Sequence, residues 1–263
     1  MYYDLCGYGK CANEIHGCVF KDVFGRKISR SVILSKRNLV MRTVRLAHAH
    51  NRSVMLHAQR TFSPILHGLA DYWLPGEQYG PLLARNSYGY TDEVPNIIWE
   101  SEFNRNIIGT GILMSCSVGW IKPAKMKPFD ITEAMLAATL PYDIETSALF
   151  ANTRVMTKVY DIYDKTGITA TKGVKFHRFD RQQEFKLSDN KCRLSYYTTP
   201  QGTVLIISNP TVRRKNLTVT VKDIIPTNCV LANEYDGGTI EVKNGKFNCK
   251  LTSRDFLILF LKK

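Results

Sequence analysis

The sequence predicts an α/β region followed by an all-β region. From Met1 to about Ile168, short apolar runs alternate with helical stretches, whereas from about Lys172 onward the helical period disappears. Strands separated by helices indicate parallel pairing with right-handed crossovers. About four such β/α units can be counted, roughly half of an eight-stranded barrel. We therefore expect a partial (β/α)8-type barrel in residues 1–168 and an antiparallel β-sandwich in residues 173–263.

The spacing of apolar residues and the length of each apolar run predict the elements of the α/β region. Leu39, Val40 and Val44 alternate with basic residues, which is typical of an amphipathic helix over Leu34–Asn51 beginning near Ser35. The run Ser53–His57 is short and apolar and follows a polar turn, so it is predicted as a buried strand. The other predicted strands are Met1–Leu5, Leu69–Leu74 and Gly111–Cys116. The other predicted helices are Asn96–Ile107, a helix from Asp130 or Thr132 to Leu140, and Ser147–Asp164.

The β region is predicted from the alternation of apolar and polar residues and from dipeptides that favour turns. Leu217, Val219 and Val221 alternate with threonines, while Val204–Ile207 is a continuous apolar run. Asn244-Gly245 is the dipeptide that type I′ hairpin turns favour. Roughly 90 residues with this strand spacing suit a sandwich.

Composition excludes several classes of protein. The 263 residues are 44% hydrophobic and 22% charged, which is typical of a folded globular chain. The net charge of +13 is spread along the chain without a zinc-finger or RNP pattern, so no nucleic-acid partner is expected. No apolar run approaches the roughly 18 residues that cross a bilayer, so no membrane partner is expected. The first residues lack a signal-peptide pattern, and localisation stays open; a longer form would be periplasmic or extracellular.

Three polar side chains are predicted to meet at one edge of the parallel sheet. Asp4 and Glu77 each follow a predicted strand, and His57 ends the strand between them. Because parallel strands open their carboxyl ends on one side, these groups should converge. Cleavage of a glycosidic bond requires two carboxyl groups in one cleft, one of them a general acid. Taken singly, Asp4 is better explained as a residue that caps a turn, and Glu77 as a solvated loop residue.

Polar and aromatic residues near the same loops are candidates for binding sugar. Asn13 and His16 lie in the loop that follows Asp4, where they could instead bond the backbone. Aromatic rings can stack on sugar faces, although packing in the core explains each ring equally well. The aromatic candidates are Trp73, Tyr79 and Trp120.

The same loop is rich in metal-ligand residue types. Cys6, Cys11, His16 and Cys18 could together provide four ligands for zinc, but their spacing matches none of the common zinc motifs. No metal or cofactor is therefore assigned. The seven cysteines are an odd number, and we expect mostly free thiols, with Cys116 a buried one.

Several short motifs occur in an order that suggests a family. These are CANEIHGC after YYDL, then DVFGR, a helix with KRNL, the strand ending in His57, and GEQ at Gly76–Gln78. Together they resemble bacterial relatives of glycoside hydrolase family 123, without the N-terminal part. The resemblance implies a catalytic barrel followed by a β-sandwich, and hydrolysis of an N-acetylhexosaminide whose own acetamido oxygen attacks. The family uses an adjacent Asp-Glu pair; here Glu77 follows Pro75-Gly76, and the adjacent Asp92-Glu93 is predicted to begin a helix.

The sequence therefore favours a glycoside hydrolase, or its C-terminal portion, that acts on an oligosaccharide or polysaccharide. Glu77 is assigned as general acid, Asp4 as the group that stabilises charge or positions substrate, and His57 as a ligand of sugar hydroxyls. Two alternatives stay open: a carbohydrate-binding protein built on a truncated barrel, and a metal-dependent enzyme using the Cys/His loop. The sugar, the linkage and the oligomeric state are not determined.

Overall fold

The computed structural model describes residues 1–4, 7, 9–57, 62–104, 109–115 and 128–263. These residues form two compact units. The first contains Met1–Gln78 and Ser101–Met114, and the second contains Tyr79–Glu100 and Ser115–Lys263. The sequence predictions that involve Leu5, Cys6, Ile107, Cys116 and Trp120 lie outside the described residues.

The first unit is built on parallel strands. The strands are β1 (Tyr2–Tyr3), β2 (Lys10–Cys11), β3 (Val19–Lys21), β4 (Lys27–Ser31), β5 (Met55–His57), β6 (Tyr72–Leu74) and β7 (Gly111–Ser115). The sheet has the order β1-β5-β6-β7, and the pairs β1-β5, β5-β6 and β6-β7 are all parallel. The predicted parallel α/β arrangement is thereby confirmed, with strands shorter than expected.

A long helix, Ile33–Ala49, covers this sheet. Val40 and Ala47 on its buried face pack with Leu56 of β5 in one apolar cluster, while Arg42 and Arg45 are exposed to solvent. The predicted start at Ser35 is wrong. The helix begins two residues earlier, after Val32, and the Ser31 hydroxyl accepts a hydrogen bond from the Ile33 N–H.

A small antiparallel sheet lies between β1 and the long helix, where the sequence predicted only a loop. Its order is β2-β4-β3, with Cys11 paired to Arg30 and Val19 paired to Ser29. These strands are two to five residues long and carry few apolar side chains. The alternation of apolar and polar residues that usually indicates a strand is therefore weak in this segment.

Helices open the second unit. They are Gly80–Arg85, Gly89–Asp92, Asn96–Ser101, Pro128–Thr139 and Thr153–Thr166. The helix predicted to begin at Ser147 begins instead at Thr153, because the Asn152 side chain accepts a hydrogen bond from the Val155 N–H and caps it. Ser147 lies in a short strand, β8 (Glu145–Ser147). The helix predicted to begin at Asp92 ends there.

Two antiparallel sheets form the rest of the second unit, as predicted. One has the order β10-β13-β16 and the other β15-β14-β17-β12-β11-β9. At the hairpin between β15 and β16, Asn244 and Gly245 both have positive φ, as a type I′ turn requires. The strands are β9 (Lys175–His177), β10 (Phe185–Leu187), β11 (Arg193–Thr199), β12 (Gly202–Asn209), β13 (Lys215–Val221), β14 (Cys229–Asn233), β15 (Thr239–Val242), β16 (Lys246–Leu251) and β17 (Asp255–Lys262).

The six-stranded sheet is covered on both faces. Leu205 and Ile207 of β12 pack toward the three-stranded sheet, whereas Val204 and Ile206 pack against the helices Pro128–Thr139 and Thr153–Thr166. This explains the continuous apolar run of β12, since both of its faces are buried. These two helices and the antiparallel sheet share one core. The boundary between the two compact units therefore does not fall at residues 168–173. The predicted domain boundary stays a prediction. None of the helices in the described part of the chain is long and apolar enough to span a membrane.

The shared core of the second unit can be tested at Ile206, which is fully buried between sheet and helices. Replacing Ile206 by Ala should lower the free energy of unfolding by about 2–5 kcal/mol, because it removes buried methyl groups and leaves a cavity. The control is Val230→Ala on β14, where the side chain is 53% exposed and the change should be within about 0.5 kcal/mol. Chemical denaturation followed by circular dichroism measures both, and equal effects would contradict this packing.

Candidate active site

The carboxyl ends of three neighbouring parallel strands carry the candidate catalytic residues. Asp4 follows β1, His57 is the last residue of β5, and Glu77 follows β6 after Pro75-Gly76. The strands pair β1-β5 and β5-β6 in parallel, with Tyr3 opposite Leu56 and His57 opposite Leu74. This register places the three side chains at one edge of the sheet.

His57 joins the two carboxyl groups. Its Nδ1 lies 2.6 Å from Asp4 Oδ1, which is the distance of a strong charge-assisted hydrogen bond. Its Nε2 lies 3.6 Å from Glu77 Oε2, on the other side of the ring. The structure thus places the two carboxyl groups on opposite sides of one imidazole.

The three groups differ in their exposure to solvent. The side chain of His57 is 5% exposed, that of Glu77 24% and that of Asp4 62%. His57 Nε2 is buried and has no hydrogen-bond partner among the described residues. The predicted contact of His57 with a sugar hydroxyl stays a prediction. In the structure the imidazole lies against the two carboxyl groups beside it.

Tyr2 completes the cluster. Its hydroxyl donates to Asp4 Oδ1 at 3.1 Å, and its ring stacks on the His57 imidazole with centroids 6.3 Å apart and planes inclined by 16°. Burial, the hydrogen bond to Asp4 and the negative charges of Asp4 and Glu77 raise the pKa of Tyr2 to about 12. Asp4 Oδ1 therefore accepts hydrogen bonds from two neighbours that hold it in place.

Tyr2 is not among the candidate residues predicted from the sequence. A signal was available, because side chains two residues apart along a strand point to the same face. Tyr2 precedes Asp4 by two positions and therefore lies beside it. The Tyr2–Tyr3 strand is too short for its alternation to stand out in the sequence.

The turn after β6 positions Glu77. Gly76 has a φ of 126°, a backbone conformation that side-chain-bearing residues rarely adopt, and its N–H donates to Gln78 Oε1 at 2.7 Å. A 3-10 turn over Glu77–Tyr79 follows directly. The Pro75-Gly76 step thus redirects the chain within two residues of the end of the strand.

Of the three aromatic residues predicted to bind sugar, the structure describes Trp73 and Tyr79. Trp73 is fully buried in the core of the first unit, stacked between His67 and Phe103 with centroids 6.0 and 5.5 Å away. A role for Trp73 as an exposed sugar platform does not agree with that position. Tyr79 belongs to the second unit and packs against Tyr90 and Trp99. Trp120 lies outside the described residues.

Asn13 and His16 lie in the turn that joins β2 to β3. Asn13 Oδ1 accepts from the Ile15 N–H at 2.8 Å, and its amide nitrogen lies 3.4 Å from His16 Nε2. This agrees with the alternative that these residues organise a tight turn; their role in binding sugar stays a prediction. Hydrogen bonds from the Asn13 backbone and then from His16 and Cys18 lower the pKa of the Cys11 thiol, while its bond to Cys11 raises that of Cys18.

The adjacent Asp92-Glu93 pair is used in ion pairs. Arg254 of the β region forms a bidentate pair with Asp92, with Nε and Nη2 at 2.9 and 2.7 Å from its two oxygens. Burial alone would raise the pKa of Asp92, but the hydrogen bonds and charge of Arg254 outweigh it and lower the pKa. Glu93 pairs with Arg85. Both acids thus have basic partners within the second unit.

Comparisons with known proteins identify the type of fold. No protein-family model matches the sequence. No curated protein matches it either. Among solved structures, a maltogenic α-amylase from Thermotoga neapolitana is similar, with a TM-score of 0.53 and 10% identity over 86% of this chain and 59% of its own. The fold is glycoside-hydrolase-like.

Two further α-amylases support the same conclusion. The enzyme from Anoxybacillus has a TM-score of 0.53 and 13% identity, over 86% of this chain and 56% of its own. The enzyme from Geobacillus thermoleovorans, whose structure contains acarbose, has a TM-score of 0.51 and 8% identity, over 86% and 57%. The present chain thus spans less than two thirds of these proteins. At such low identity the similarity concerns the fold, and the activity is a separate question.

The contact between Tyr2 and Asp4 can be tested by titration. Replacing Asp4 by Asn should lower the pKa of Tyr2 from about 12 toward its ordinary value of about 10, because the negative charge beside the phenol is removed. The shift should be incomplete, because burial still raises the pKa. NMR of tyrosine-labelled protein, with Tyr2→Phe to assign the signal, measures it. An unchanged pKa in Asp4→Asn would separate Tyr2 from this cluster.

Proposed function

We propose that this protein is a glycoside hydrolase that cleaves an O-glycosidic bond with Glu77 as the general acid. The observation that carries the proposal is the chain of contacts Asp4–His57–Glu77 at the carboxyl ends of three parallel strands. In barrel enzymes this edge of the sheet carries the catalytic groups. The glycoside-hydrolase-like fold adds support from an independent comparison.

His57 positions the carboxyl group of Glu77. An ionised Asp4 accepts a hydrogen bond from Nδ1–H, which leaves Nε2 directed toward Glu77. In the reaction, Glu77 donates its proton to the leaving oxygen as the glycosidic C–O bond breaks. A water molecule adds to the sugar carbon, and the proton that it releases returns to Glu77. The imidazole thus orients the carboxyl group, while Glu77 contacts substrate.

Asp4 has two functions in this proposal. Its Oδ1 orients the His57 ring and holds the Tyr2 hydroxyl, which makes it a positioning residue. Its carboxylate is also 62% exposed, so it can face the positive charge that develops on the sugar ring. The second function corresponds to the role expected from the sequence.

The substrate in this proposal is an oligosaccharide or polysaccharide. Acarbose, an amylase ligand, is bound in the Geobacillus structure, which supports a carbohydrate in general terms. The motif resemblance to relatives of glycoside hydrolase family 123 favours an N-acetylhexosaminide. In this proposal the scaffold is a partial (β/α)8-type barrel. Both N-acetylhexosaminides and glucosides are included in the test.

The central experiment replaces Glu77 by Gln. Turnover of the best substrate in a panel of aryl N-acetylhexosaminides and aryl glucosides should fall by about 100-fold or more, because an amide cannot donate the proton. The matched control is Glu241→Gln on β15 of the second unit, where the carboxylate pairs with Lys243 at the surface and the activity should not change. Circular dichroism and the release of the aryl group measure folding and activity.

The outcomes of this experiment separate the competing functions. Unchanged turnover in Glu77→Gln would remove Glu77 from the mechanism. Binding of oligosaccharide by the wild-type chain, with no hydrolysis of any member of the panel, would favour a carbohydrate-binding protein instead.

A second experiment tests whether Asp4 acts through His57. Asp4→Asn and His57→Gln should each lower kcat, and the double variant should lose less than the product of the two effects. The expected coupling is about 0.5–3 kcal/mol, since both changes disrupt one contact. Because His57 is buried, thermal unfolding of each variant must show a folded protein. Strictly multiplicative losses would show that the two residues act independently.

A further inference from the structure

The turn between β2 and β3 brings three soft metal ligands together. Cys11 ends β2 and pairs with Arg30 of β4, while the Arg30 N–H donates to the backbone carbonyl of Cys18 at 2.8 Å. Both cysteines are therefore tied to the same residue of the central strand, from its two sides. Gly17, with a φ of 64°, turns the chain between His16 and Cys18.

The donor atoms are close to the spacing that a metal ion requires. One ligand atom from each of Cys11, His16 and Cys18 lies within 4.8 Å of the other two. Cys11 Sγ is 3.9 Å from His16 Nδ1. In a tetrahedral zinc site with ordinary bond lengths, neighbouring sulfur and nitrogen ligands are roughly 3.5–3.8 Å apart. Small side-chain rotations in this exposed turn would bring the donor atoms to the spacing of a zinc site.

The chemistry of the donors indicates the type of metal. Two cysteine sulfurs and one imidazole form a set that suits zinc rather than magnesium or calcium, which prefer oxygen. His16 is exposed and both cysteines are half-buried, so an ion can enter from solvent. Two thiolates would neutralise the charge of a zinc ion.

We propose that Cys11, His16 and Cys18 form a zinc-binding site that closes the turn between β2 and β3. The fourth position is open to water or to an added ligand. The ion would cross-link the two outer strands of the small β2-β4-β3 sheet, which has little apolar core of its own. The site is separate from the Asp4–His57–Glu77 cluster and does not depend on the proposed hydrolase activity.

The test uses the full chain, reduced and stripped of metal with a chelator. Titration with Co²⁺ should produce a thiolate-to-cobalt charge-transfer band and the visible bands of tetrahedral cobalt, saturating at one equivalent. Zinc should displace the cobalt and abolish the bands. In Cys11→Ser, Cys18→Ser and His16→Gln the affinity should fall by about 100-fold or more, because each removes a ligand.

Matched controls use the same substitutions elsewhere. Cys229→Ser replaces a half-buried thiol of β14, and His50→Gln replaces an exposed histidine after the long helix. Both should bind cobalt as the wild type does. Circular dichroism checks that every variant is folded, and the readout does not depend on hydrolysis of any glycoside.

Three outcomes would overturn the proposal. The first is the absence of charge-transfer bands in the reduced wild-type chain. The second is unchanged affinity in Cys11→Ser and Cys18→Ser. The third is a Cys11–Cys18 disulfide in peptide maps of protein purified without reductant, combined with no metal binding after reduction; that result would assign the pair to redox chemistry.

Discussion

The candidate site depends on the parallel pairing of β1, β5 and β6. These strands are only two or three residues long, and each places one polar side chain at its carboxyl end. Because side chains alternate between faces, a slip of one residue in either pair would move His57 away from Asp4 or Glu77. The apolar cluster under the long helix, which includes Val40 and Leu56, resists such a slip, since Leu56 would leave the core. Packing of the sheet against the long helix therefore maintains the positions of Asp4, His57 and Glu77 at the carboxyl ends of the strands.

The buried imidazole gives the site its chemical character. A polar ring that is nearly excluded from solvent is costly unless its nitrogens have partners. Asp4 is a partner for Nδ1, and Tyr2 covers the face of the ring. Nε2 is the nitrogen without a hydrogen bond among the described residues, and it faces Glu77 across 3.6 Å. That combination distinguishes the cluster from a structural salt bridge such as Arg254–Asp92, in which the charged groups are directly bonded.

The second unit shows how helices and antiparallel sheets can share one core. The six-stranded sheet packs against the three-stranded sheet on one face and against two helices on the other. Its central strands β12 and β17 are consequently apolar on both faces. A periodic pattern shows how each element is buried but does not identify its neighbour, so helices that read as part of the α/β region can pack on the antiparallel sheet.

Local signals in the sequence determined the parallel strands with helices between them, the change from α/β to β structure, the Asn244-Gly245 turn and the convergence of Asp4, His57 and Glu77. Each of these follows from short-range periodicity or from the direction of parallel strands. Only the tertiary structure decided that Trp73 is a core residue, that Tyr2 supports Asp4, and that His57 lies between two carboxyl groups. It also decided that Cys11, His16 and Cys18 meet, although their spacing matches no metal motif. Burial and side-chain proximity depend on strands that are distant in sequence, such as β5 beside β1, and no local pattern contains that information.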